Sequence, residues 1–133
     1  MEKGIYSEKL LSGGELKVSL DNWFISYYFP GPDLRYNGTF VNIPGKDIER
    51  YIEAWKTNFE KYLKLKATIP STGNFQTNGE MGMTIFIGTF TNGVCLRSYH
   101  MLISSKEKLE LVISDYKSAK EKAERIQNML KTL

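Results

Sequence analysis

One cysteine, Cys95, and one histidine, His100, are all the chain has of the two residue types that most often hold metals and perform nucleophilic chemistry. A lone cysteine excludes the disulfide framework of a small secreted domain. No stretch approaches the roughly 20 consecutive apolar residues of a membrane span. The charged start, Met1-Glu2-Lys3-Gly4, has no apolar run behind it, so no signal peptide is expected. The expected compartment is therefore the cytoplasm, and Asn37-Gly38-Thr39 reads as a turn rather than a glycosylation site. Charge is also scarce in one region: residues 67–104 carry one basic and one acidic group, Arg97 and Glu80. The net charge of +3 therefore comes from the segments read below as helices, and the strands lack the clustered Lys and Arg of a dedicated phosphate-binding surface.

What the chain does have is aromatic and amphipathic pattern. With 133 residues and 41% hydrophobic content it reads as a single α+β domain, 1–133, able to bury a core. Ile5 to Leu11, the pair Gly13-Gly14, and the alternating Leu16, Val18 and Leu20 predict a hairpin, with a further turn at Asp21-Asn22. Trp23 to Phe29 is the strongest strand. Both of its faces are apolar, which predicts a central strand or one covered on both sides. Pro30-Gly31-Pro32 breaks it, Thr39 to Ile43 resumes, and Pro44-Gly45 stops the sheet before a helix that Asp47 can cap.

Residues 47–66 repeat Ile48, Tyr51, Ile52, Trp55, Phe59, Tyr62 and Leu63 at helical steps. Residues 69–80 are polar and turn-rich and predict a mobile loop anchored by Phe75. Met81 to Phe90 and Val94 to Ile103 predict two long strands joined by a tight Asn92-Gly93 turn. Ser104 and Glu107 have capping-box spacing ahead of a last helix. In that helix Leu109, Val112, Tyr116, Ala119, Ala123, Ile126, Leu130 and Leu133 form an uninterrupted heptad seam. The whole reads as an antiparallel sheet of about six strands, a meander plus an Asn-Gly hairpin, with two long amphipathic helices.

Hairpin followed by helix occurs twice. Phe29 matches Phe90, Ile48-Glu49 matches Leu109-Glu110, and Tyr51, Ile52, Trp55 and Lys56 match Val112, Ile113, Tyr116 and Lys117, giving pseudo-repeats 5–66 and 67–131. In topology this strands-then-helix plan resembles the duplicated domains of the PUR and Whirly single-strand DNA-binding proteins. The resemblance carries no site residues, because fold does not fix function.

Chemistry is hard to place on these residues. Cys95 and His100 are five apart in what reads as one strand, which puts them on opposite faces and removes a Cys–His dyad. Nucleotide-binding glycine patterns and acidic calcium loops are missing, so neither a cofactor nor a metal is expected and no residue is assigned as catalytic. Two surfaces remain. Phe86, Phe90, Arg97 and Tyr99 can share a sheet face, which suits a protein hot spot, a base-stacking platform, or a core layer under a helix. Tyr116, Ala119, Ala123, Ile126, Leu130 and Leu133 form a seam narrow enough to meet another helix, from the same chain or from a second copy. The leading expectation is a non-catalytic binding or regulatory protein that works through protein–protein contacts as a homodimer. The alternative is single-stranded nucleic-acid binding through the aromatic face. A third reading is an enzyme whose carboxylates and tyrosines converge only in three dimensions.

Overall fold

The computed structural model describes residues 4–29, 39–96 and 101–133. Four strands and a helix follow one another twice: β1 (Tyr6–Lys9), β2 (Glu15–Val18), β3 (Trp23–Phe29), β4 (Thr39–Pro44) and α1 (Ile48–Thr68), then β5 (Phe75–Asn78), β6 (Met83–Ile87), β7 (Gly93–Leu96), β8 (Leu102–Ile103) and α2 (Lys106–Lys131). The sheet of about six strands expected from the sequence is instead two antiparallel four-stranded sheets, each a meander in chain order. The chain divides into two compact units, one of residues 1–48 with 114–133 and one of residues 49–113. Among the described residues no helix is long and apolar enough to cross a membrane.

In the first unit the β1–β2 hairpin closes where Gly13 adopts a φ of 106°, a conformation that costs glycine little. The next turn sits one residue earlier than the sequence suggests. Ser19 donates its backbone N–H to the Asn22 carbonyl at 2.8 Å, so Leu20-Asp21 are its central residues. The register pairs Leu16 with Ile25 and Ile25 with Ile43, which lines up one apolar face across β2, β3 and β4. Leu16, Val18, Ile25, Tyr27, Val41 and Ile43 are buried.

The last part of α2 lies on that inner face. Tyr27 donates its hydroxyl hydrogen bond to the Tyr116 hydroxyl at 2.9 Å, and the Asp115 carboxylate accepts the Ser12 N–H at 2.6 Å. Further along, Lys122 pairs with Glu8, and Gln127 donates to the Ser19 carbonyl. Ala119 and Ala123 are buried between these ties, and their small side chains let the helix axis approach the sheet closely.

In the second unit α1 buries Tyr51, Ile52, Ala54, Trp55, Phe59 and Tyr62, while Leu63, expected on the same stripe, is half exposed. Met83, Ile85, Ile87, Val94, Leu96 and Ile103 supply the buried part of the sheet. Residues 69–80 are not simply a loop, because Phe75–Asn78 pairs with β6 as an edge strand. Its alternation is visible only as half-buried Phe75 and Thr77 against exposed Gln76 and Asn78.

The expected strand Val94–Ile103 is two strands: β7 pairs with β8, Val94 opposite Ile103 and Cys95 opposite Leu102. The tight Asn-Gly turn is likewise replaced. Phe86 pairs with Gly93, and across the longer connection the Asn92 side chain accepts the Gly88 N–H at 2.9 Å and donates back to the Gly88 carbonyl. Gly93 keeps a positive φ of 136°, but a Cβ there would lie 2.5 Å from the Ile103 carbonyl oxygen. This glycine is therefore required by the close approach of β8. The last helix is capped one residue later than expected, by Ser105, whose hydroxyl accepts the Lys108 N–H at 3.2 Å.

Candidate binding face

Side chains alternate along a strand, so the register that buries Ile25 and Tyr27 turns Phe24, Ser26 and Tyr28 to the opposite face of the first sheet. Their partners on β4 are Pro44, Asn42 and Phe40, and those on β2 and β1 are Glu15 and Lys17, then Ser7 and Lys9. Tyr28 and Phe40 sit directly opposite each other with ring centroids 5.0 Å apart and planes tilted by 48°. They are 56% and 60% exposed, in a sheet whose inner aliphatic residues are fully buried. β3 is thus the central strand that its two apolar faces allow, flanked by β2 and β4, and its outer face is exposed at this end. Around the pair the charges are mixed: Lys9 is opposite Glu15, and Lys17 neighbours Phe24.

A cleft of about 660 Å³ lies at the β2–β3 turn and the end of β4. Trp23, Phe24, Asn42, Pro44 and Lys46 line one side, and Lys120, Glu124 and Gln127 of α2 line the other. A Cβ on Gly45 would collide with the Trp23 indole, so the ring rests directly on the Gly45 backbone.

The residues singled out from sequence are dispersed. Phe86 is half-buried on β6. Phe90 is 93% exposed, but it lies in the β6–β7 connection, beyond the strand whose alternation was to align it with Phe86. Arg97 and Tyr99 lie outside the described residues. Cys95, on the Phe86 side of the sheet by register, is buried. Of the helix seam, Tyr116, Ala119 and Ala123 are buried, Ile126 and Leu130 are half-buried, and Leu133 is exposed.

Cys95 and His100 do not share a described strand, because β7 ends at Leu96 and His100 lies outside the described residues. Burial pushes the Cys95 thiol up to about 11, the opposite of what a nucleophilic thiolate needs. Burial also pushes the Tyr27 hydroxyl up to about 12. Among the described residues no group of three or more His, Cys, Asp or Glu side chains could hold a metal ion.

Sequence reasoning missed the Tyr28–Phe40 pair. Both faces of β3 are apolar, and that hides which one faces outward. The signal lies one strand on, where β-branched Val41 and Ile43 alternate with Phe40 and Asn42 and mark the aliphatic side as the core. No protein-family model matches the chain, nor does any curated protein or solved structure.

Proposed function

We propose that the chain is a non-catalytic binding or regulatory protein that acts through protein–protein contacts, as a homodimer joined through the outer face of its first sheet. The observation that carries this is the exposed Tyr28–Phe40 pair, an apolar centre with a polar rim. The rim holds both signs of charge, so a second copy facing it can set Lys9 and Lys17 against Glu15. A face built mainly for phosphate would be predominantly basic. A cytoplasmic location agrees with a single buried thiol. Sedimentation equilibrium tests the dimer: wild type is expected to associate in the micromolar range, and the pair Tyr28→Ala and Phe40→Ala to shift the chain to monomer. A wild-type monomer at high concentration, or a dimer unaffected by both changes, refutes the reading.

A second reading is single-stranded nucleic-acid binding on the same face. It is favoured by the stackable rings and by the order of four strands and a helix occurring twice, which supports a duplicated unit at 5–66 and 67–131. Oligonucleotide titration at low and moderate salt separates the two readings, because phosphate contacts must weaken as salt rises.

A further inference from the structure

We infer that the cleft beside Trp23 is a binding site for an uncharged sugar ring. Its volume of about 660 Å³ lies within the usual range for small-molecule sites. Its chemistry selects the class. Two lysines, Lys46 and Lys120, are balanced by two carboxylates, Asp21 and Glu124, so the lining has no net charge to attract a phosphate or a carboxylate ligand. Three amides, Asn22, Asn42 and Gln127, lie among them, and each both donates and accepts hydrogen bonds. A lining rich in paired donors and acceptors, yet neutral, matches a ligand whose hydroxyls also do both.

The apolar component is planar. Trp23 and Phe24 border the same space, and the C–H face of a pyranose is a flat apolar surface that gains by leaving water against such a ring. Trp23 is held in advance, since the absence of a Cβ at Gly45 lets the indole rest on backbone. A ring fixed before binding loses little freedom when a ligand stacks on it. A nucleotide would use the rings equally well but would leave Asp21 and Glu124 facing its phosphate.

The test uses the chain's own fluorescence. Trp55 is fully buried, so a ligand-dependent change reports on Trp23. Glucose, galactose, mannose, N-acetylglucosamine, maltose and cellobiose are titrated to millimolar concentrations, with AMP and inorganic phosphate as the anionic arms. At least one sugar is expected to give a saturable change that does not move between low and moderate salt. Asp21→Ala and Asn42→Ala alter exposed residues, and each is expected to weaken that binding about tenfold, the loss of one well-formed hydrogen bond. Gly45→Ala, which displaces the ring without removing a polar group, is expected to weaken it as well. Absence of saturation by every sugar overturns the inference. So does tighter, salt-sensitive binding of AMP, or a sugar response unchanged in the Asp21→Ala, Asn42→Ala double variant. None of these outcomes bears on the dimer, which is read from sedimentation and from Tyr28 and Phe40.

Discussion

Removing the Asn58 side chain should release the turn between β5 and β6. Asn58 is 1% exposed on α1, and its amide grips one backbone residue from both ends. It accepts the Glu80 N–H at 2.8 Å and donates to the Glu80 carbonyl at 3.0 Å, with a further contact to the Met83 sulfur at 3.1 Å. The turn needs holding, because Met81 has a φ of 56°, a left-handed conformation that costs a side-chain-bearing residue roughly 1–2 kcal/mol. Each hydrogen bond contributes roughly 0.5–1.5 kcal/mol net, and Glu80 is exposed enough for water to take over part of the loss. Asn58→Ala should therefore cost about 2 kcal/mol, and a local opening of that size would speed exchange of the Glu80 amide about 30-fold.

Urea denaturation and hydrogen exchange measure the two quantities. Gly79 supplies an internal check, because a Cβ there would sit 2.5 Å from the Asn58 carbonyl oxygen. Gly79→Ala should be costly alone and nearly neutral beside Asn58→Ala, a coupling of about 1 kcal/mol between touching residues. A stability loss under about 0.5 kcal/mol with unchanged Glu80 exchange would mean the amide does not hold the turn, and the reasoning would be wrong.

Gly93→Ala should destabilise the chain by more than about 2 kcal/mol, since it combines an unfavourable φ with a clash against the Ile103 carbonyl, and thermal melts would show it. Tyr116→Phe should cost about 1 kcal/mol by chemical denaturation, because it removes the hydrogen bond between the two buried hydroxyls. Folded Cys95 and Tyr27 both hold their protons more tightly than the unfolded chain does. The stability this provides is complete below the unfolded values and is lost as pH rises from about 9 to 11 for Cys95 and from about 10 to 12 for Tyr27. Cys95→Ala should abolish the first decline in a pH series of urea midpoints, and the native thiol should resist labelling at neutral pH. Lys122 and the Tyr6 hydroxyl hold the Glu8 carboxyl below its usual range, so that pair's contribution is present at neutral pH and fades on acidification. Both partners are about one-third exposed, so Glu8→Gln should change the unfolding free energy from urea denaturation by only roughly 0.2–1 kcal/mol.

The sequence is most legible where one periodicity dominates. Trp23–Phe29 and both helices appear where their patterns place them, because seven aromatic or aliphatic positions at helical steps leave little choice of face. It is least legible where a partner strand decides. Phe75–Asn78 is two-faced and mostly polar, and it becomes a strand only because β6 offers an edge. Val94–Ile103 is apolar enough to be one strand, and nothing local announces the reversal that pairs Val94 with Ile103. Asn92-Gly93 is a true turn signal read for the wrong turn. The asparagine closes the connection with its side chain, and the glycine makes room for β8. The candidate face was missed on one point: two apolar faces of β3 cannot be ranked until the β4 register shows which one Val41 and Ile43 share.

The division of the chain also has a consequence in time. The first sheet is complete by Ile48, but the helix segment that lies on its inner face begins only at Ser114. A ribosome adding roughly 5–20 residues per second makes the intervening 65 residues in about 3–13 s. Throughout that interval Leu16, Val18, Ile25 and Ile43 have no Tyr116, Ala119 or Ala123 to cover them. A newly made chain thus emerges as a sheet with one bare oily side. Its yield in a cell should depend on chaperone supply and on translation speed across α1 to β8.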